Sequence, residues 1–152
     1  MSDIHNLARF VRAQAGVYDG VLDELRRGRK TGHWIWFIFP QAAGLGASDL
    51  SRTYAIRSLD EARAYLEHDV LGVRLRECAQ TVLDLQHVSA EDIFGGLDAI
   101  KFRSCMTLFA QVSAPEDVFT RALERFFHGR PDEQTLALLR ARAGPAGPAI
   151  IS

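Results

Sequence analysis

Apolar residues recur along most of this chain at spacings of three and four, in runs that commonly open on Ser or Asp and close on Gly. Such spacing puts the apolar side chains of each run on one face of a helix. No other feature constrains the fold as much. Asp3 is placed to cap a first helix that buries Ile4, Leu7, Phe10 and Val11 and closes by Gly16. A second is expected from about Val17 to Arg27, with Val21, Leu22 and Leu25 inward and Gly28 as its stop. Ser58-Leu59-Asp60-Glu61 has the capping-box spacing and opens a helix with Ala62, Tyr65 and Leu66 inside. Asp69 is expected to cap the next, in which Val70, Val73, Cys78, Val82 and Leu85 repeat at helical intervals. Ser89 begins a short turn into Phe94-Gly95-Gly96, and a helix from about Leu97 to Val112 follows. Pro115 suits the first turn of a helix ended by Gly129, and Asp132 to Ala141 makes the last. The fold class is mainly α, a compact single-domain bundle of about six to seven helices.

One segment breaks the pattern. Trp34 to Phe39 is an unbroken apolar run with aromatic and β-branched members, so a short buried strand or irregular segment at 34–39 competes with a helical turn. On a strand Trp34 and Trp36 would share a face; on a helix they would diverge. The run sits inside Gly28 to Ser51, beside Arg26, Arg27, Arg29 and Lys30, and is followed by Pro40-Gln41, Gly44, Gly46, Ser48 and Ser51. Like charges repel at close range, so a knot of cations calls for an anionic partner or an acid folded between them.

Composition removes several function classes. A net charge of −1 over 152 residues makes the cations local and argues against a nucleic-acid coat. No apolar run approaches the roughly 20 residues of a membrane span. Cys78 and Cys105 stand apart from each other and from any spaced His, so buried thiols in a reducing cytoplasm are expected, with no metal or cofactor implied. One globular domain is expected over residues 1–143. The prolines and glycines from Gly144 onward cannot continue a helix, so residues 144–152 are read as a flexible tail.

Chemistry-bearing side chains concentrate in two places. On the helix from Leu97, Asp98, Lys101, Ser104 and Thr107 recur every third residue, one polar stripe on an otherwise apolar element. Either Asp98 pairs with Lys101 on a solvated face, or the stripe walls a pocket in which Lys101 binds an anion and Asp98 acts as a base. In the Gly28–Ser51 segment, His33 is the second candidate catalytic group. Arg29 and Lys30 would supply charge, Trp34 or Trp36 a stacking face, and Gln41, Ser48 and Ser51 directional hydrogen bonds. Gly44 to Ser48 has neither Walker nor dinucleotide spacing, yet its backbone can offer N–H groups to a phosphate. Lys30, His33, Ser48 or Ser51, and Asp98 or Lys101 are therefore expected to line one cavity.

The segments YDGVLDELRRGRKTGHWIWFIFPQAAGLGASDLSRTYAI, SLDEARAYLEHDVLGVRLREC, DIFGGLDAIKFRSCMTLFA and FFHGRPDEQTLALL resemble the domain-of-unknown-function family 1810, over roughly Phe10 to Leu139. Its members are often labelled calpastatin, a name this composition does not justify. That resemblance implies a small, mainly helical cytoplasmic domain without an established activity. More distantly, the order of helices and the glycine–serine loop leading into Tyr54 are similar to the NADAR/YbiA-like group, which includes N-glycosidases acting on ribosylated intermediates and ADP-ribosylated bases. The group's pattern places a catalytic Glu on the helix after the serine loop. Ser51-Arg52-Thr53-Tyr54 has no acid, so Asp98, Asp19 or Glu24 would have to supply the carboxylate. Together these readings point to a domain that binds an anionic nucleotide-like or ADP-ribose-like ligand, with N-glycosidic hydrolysis as the candidate reaction. The alternative is a non-catalytic interaction or regulatory module presenting the Trp- and Arg-rich 26–41 segment to a protein partner.

Overall fold

Ten helices make up the regular structure of residues 3–143, the part of the chain that the computed structural model describes. They are α1 (Ala8–Gln14), α2 (Tyr18–Arg26), α3 (Ile35–Ile38), α4 (Asp49–Thr53), α5 (Leu59–Glu67), α6 (Leu71–Asp84), α7 (Ala90–Phe94), α8 (Gly96–Ala110), α9 (Val118–Phe127) and α10 (Glu133–Ala143). The count exceeds the six to seven expected because α3, α4 and α7 are single turns of four or five residues. Their apolar positions are too few to show a period. The expected tail at 144–152 lies outside the described residues.

Trp34 to Phe39 forms a helical turn and not a strand. Ile38 N donates to Trp34 O at 3.2 Å and Phe39 N to Ile35 O at 2.9 Å. Ile35 and Ile38, three apart, both turn inward, and the two tryptophans diverge as a helix requires, Trp34 buried and Trp36 half-buried. Among the described residues strand-like pairing amounts to one parallel bridge, Ala42 with Ile56, closed by Ala43 N to Ile56 O and Ile56 N to Gln41 O, both 2.9 Å.

The core is organised around α8, whose Ala99, Phe102, Cys105, Met106, Leu108 and Phe109 are all buried, as are Ser104 and Thr107. It packs against α3, α5, α7, α9 and α10, while α6 packs against α2, α5 and α9. Phe102 meets Phe94 in a stack at 4.7 Å and Phe39 edge-on at 5.0 Å, which anchors the 34–39 turn to α8. Each such ring contributes on the order of 1.5–3 kcal/mol through burial. Both cysteines are buried, and burial pushes the Cys78 thiol up to about 12.

Several caps follow the sequence and several do not. Ser58 accepts from Glu61 N at 3.0 Å, and Ser89 with Asp92 completes a reciprocal box. Gly28 and Gly129 close α2 and α9 at φ +76° and +74°, a conformation that costs glycine little. Asp3 does bind Leu7 N and Ala8 N, but Ile4 is exposed, because α1 begins only at Ala8. His68, not Asp69, caps α6, its Nδ1 accepting from Val70 N and Leu71 N at 3.1 and 3.2 Å. Val73 faces solvent, whereas Leu71, Leu75, Cys78 and Val82 form the inner face. Glu61 leaves the Ser58 box half-made, because its carboxylate turns inward to the buried Arg9 at 2.7 Å and to Arg57 N at 3.0 Å. Arg9 also donates to the carbonyls of His5, Asn6, Thr53 and Ala55, all within 2.7–2.8 Å, so it fixes the chain just after α4. No helix among the described residues is long and apolar enough to cross a membrane.

Candidate functional site

The turn after α2 folds back on the helix because Glu24 collects it. Glu24 Oε1 accepts from Thr31 N at 2.7 Å and from Gly32 N and Trp34 Nε1, both at 2.9 Å. Burial pushes the Glu24 carboxyl up, but these donors outweigh it and hold it below the usual carboxylate range. Lys30 N donates to Ile93 O at 2.7 Å, tying the same turn to α7. The Lys30 side chain is thereby directed inward. Its Nζ lies 2.7 Å from Asp98 Oδ2, 2.5 Å from Gly32 O and 5.1 Å from the centre of the Trp34 ring. Asp98 stands in the first turn of α8, and its other oxygen takes Lys101 Nζ at 3.2 Å, with Trp36 5.4 Å from that ammonium. Burial raises the Asp98 carboxyl, and the two lysines more than reverse this, leaving it below its ordinary value. A carboxylate so held is a strong ion-pair partner and a weak base.

The cationic knot of the sequence is thus taken apart by folding. Lys30 is inside, with only 7% of its side chain exposed, while Arg26, Arg27 and Arg29 project into solvent. Arg26 has a loose ion pair with Asp23 at 3.9 Å. His33 is exposed on the rim of a separate cavity bordered by Val17, Gly20, Glu24, Trp34 and Phe37.

The second place of interest is the glycine–serine loop. Ser48 caps α4, accepting from Ser51 N at 3.1 Å, with the two hydroxyl oxygens 2.9 Å apart. Gly46 lies so close that a Cβ there would meet Ser51 Oγ at 2.3 Å, so only glycine lets the loop close on α4. The N–H groups of Gly44, Gly46 and Ala47 donate to no other described residue, while Ala43 and Gly44 form a turn. On one side the loop borders a cavity of about 210 Å³ with Gln41, Gly46, Ser51, Arg52 and Arg57 on its walls. On the other it borders one of about 180 Å³ with Leu45, Leu97, Ile100, Lys101 and Asp132. Gln41 and Gly46 line both, so the two cavities adjoin across this shared wall as the lobes of a paired depression. Arg52 is tied to Asp49 at 2.7 Å and to the Ala47 carbonyl; Arg57 is exposed, and its guanidinium has no hydrogen bond to another described residue. Among the described residues Lys101 has one hydrogen-bond partner, Asp98, which leaves donors on its ammonium.

The residues picked from sequence therefore divide. Gln41, Ser51 and Lys101 border the two-lobed depression. Lys30, Trp34 and Asp98 form the ion-pair cluster behind Lys101; Trp36 packs over Lys101; Ser48 serves the α4 cap. Arg29 and His33 join neither. Sequence reading missed Arg52, Arg57, Leu97, Ile100 and Asp132. The signal for the arginines was their place on either side of Tyr54, one turn after a loop of glycine and serine.

A family model described as "Protein of unknown function (DUF1810)" matches residues 4–139. Among solved structures, the crystal structure of the conserved hypothetical protein Rv1873 from Mycobacterium tuberculosis, at 1.38 Å, is similar with a TM-score of 0.89 and 51% identity, over 91% of this chain and 99% of that one. No curated protein matches the sequence. The likeness to family 1810 holds, and neither match extends it to the NADAR/YbiA-like group or to calpastatin.

Proposed function

Because this chain belongs to the DUF1810 family, whose description assigns no activity, we propose a function from the depression itself: binding a small phosphorylated ligand with a planar or apolar body, of nucleotide type. One observation carries this reading. The two lobes share the Gln41–Gly46 wall but differ in chemistry. The first is lined by Arg57, Ser51 and the backbone of Gly44 and Gly46, whose guanidinium, hydroxyl and N–H groups suit a phosphate. The second offers Leu45 with the exposed Leu97 and Ile100, which suit a ring, and Lys101 and Asp132 as polar contacts. Each lobe alone, at about 210 and 180 Å³, falls below the ~300 Å³ at which drug-sized sites begin, so a ligand using both would have to lie across the Gln41–Gly46 wall.

Binding is favoured here over N-glycosidic cleavage. Asp98 has both oxygens on lysines, and His33 shares no cavity with the depression. A protein partner is the second reading, favoured by the exposure of Leu97 at 78% and Ile100 at 58% beside the half-buried Trp36. Thermal shift and calorimetric titration with adenosine monophosphate, ADP-ribose, ribose 5-phosphate and adenosine test the proposal. Phosphorylated compounds should raise Tm through RT ln(1 + [L]/Kd) and adenosine should not. Adenosine binding as tightly as its monophosphate, or no binding by any of the four, would overturn it.

A further inference from the structure

We propose a second binding site, for a primary ammonium carried on an aromatic or apolar body, in the cavity between α2 and the turn that precedes α3. This cavity is about 370 Å³ and shares no lining residue with the depression described above. Its walls are Val17, Val21, Trp34 and Phe37, with Glu24 as the acid and His33 at the edge. The space is made by glycines. A Cβ added at Gly16 or Gly20 would meet no atom within 4 Å, so internal packing does not account for glycine at Gly20, in the first turn of α2. The space it leaves open is on the cavity wall.

The polarity of the site follows from how Glu24 is bound. All three N–H donors of the turn reach Oε1, and the exposed Thr31 hydroxyl adds to them in holding the carboxylate ionised, so Oε2 is the oxygen with no N–H donor from a described residue. Since Oε1 is filled, the carboxylate cannot receive the two parallel bonds of a guanidinium, and a point donor such as an ammonium fits better. Val17, 42% exposed, and the Trp34 and Phe37 rings would cover the apolar part of such a ligand.

Isothermal titration of the full chain with phenethylamine, against 2-phenylethanol as the neutral isostere, tests this site. The amine should bind and the alcohol should bind at least about tenfold more weakly, the scale of one charge-assisted hydrogen bond. Glu24→Gln should weaken the amine by a similar factor. Gly20→Phe should abolish binding by filling the cavity while circular dichroism and Tm show an intact helical fold, so the test survives if Glu24→Gln disturbs the turn. Arg57→Ala should leave amine binding unchanged, which separates this site from the phosphate lobe. Equal affinity for amine and alcohol, undiminished binding by Gly20→Phe, or no binding of the amine by the wild-type chain would each overturn the proposal.

Discussion

Lys30 and Arg57 carry the same charge, yet the first has its ammonium closed off by Asp98, the Gly32 carbonyl and the Trp34 ring, while the second has no side-chain hydrogen bond to another described residue and borders a cavity. Both lie beside a glycine-containing turn and both would pass for anion-binding residues in a list. What separates them is the disposition of nearby carbonyls and carboxylates. A cation withdrawn from water must find acceptors from its own chain, and once found these leave nothing for a ligand. The cation that stays at the surface keeps its donors. Lys101 stands between the two, anchored by Asp98 on one side and open to the depression on the other.

The sharpest way to break this contrast is to remove a fully enclosed cation. Arg9→Ala should cost about 3–5 kcal/mol in urea denaturation, because Glu61 would be left charged and buried with its main partner gone. A loss under about 1 kcal/mol would mean that enclosure is not what makes such residues structural. Lys30→Ala should be next, at about 1.5–3 kcal/mol, since Asp98 is partly exposed and retains Lys101. A loss under about 0.5 kcal/mol would instead place Lys30 with the open surface cations.

Acid titration sharpens the same comparison at smaller scale. Asp98, Glu24 and Asp117 all sit below their ordinary values: burial opposes ionisation, and the lysines, the turn's N–H groups and Arg76 respectively overcome it. A carboxyl depressed in the folded state adds stability that is complete above its unfolded value, near 4, and is lost as pH falls through the folded one. The domain should therefore keep its stability from neutrality to about pH 5 and lose it progressively below about pH 4. Asp98→Asn should make that acid limb shallower in a pH series of denaturation curves. An unchanged limb would show that Asp98 gains nothing from its lysines. The smallest stability effects belong to the open cations. Arg57→Ala and Lys101→Ala should change stability by no more than about 0.5–1 kcal/mol, yet each should weaken a phosphorylated ligand about tenfold in calorimetry, and less so at high salt. A large stability loss in Lys101→Ala would move it into the company of Lys30.

Much of the fold could be read from the sequence wherever the signal was local. Ser58, Ser89, Gly28 and Gly129 mark helix ends through contacts within a few residues, and α2, α5, α8 and α9 lie close to where periodicity put them. Reading failed where the deciding partner was remote. Glu61 leaves its box for Arg9, fifty-two positions away, and nothing nearby announces it. His68 caps α6 in place of Asp69 because the backbone at His68 is extended, which pure residue preference does not reveal. The candidate site divides in the same manner. The Asp98–Lys101 pair was visible as an i, i+3 spacing, whereas the enclosure of Lys30 depends on α7 and α8 arriving from far along the chain. Arg52 and Arg57 give no comparable signal, because each stands singly on either side of one short turn and not in a cluster of cations.

The loop from Ala43 to Ala55 is held at its base by the two hydrogen bonds of the Ala42–Ile56 bridge and by Arg9 on the carbonyls of Thr53 and Ala55. A segment fastened at its ends and lightly bonded at its tip can open without the rest of the domain. In deuterium exchange the amides of Gly44 to Ala47 should therefore label within the shortest times, while those of Ala43 and Ile56 outlast them by orders of magnitude. An anion seated on the loop would slow the tip amides selectively. The protection map of this one loop would then report occupancy of the phosphate lobe directly, residue by residue, even for a ligand bound too weakly to move the melting temperature.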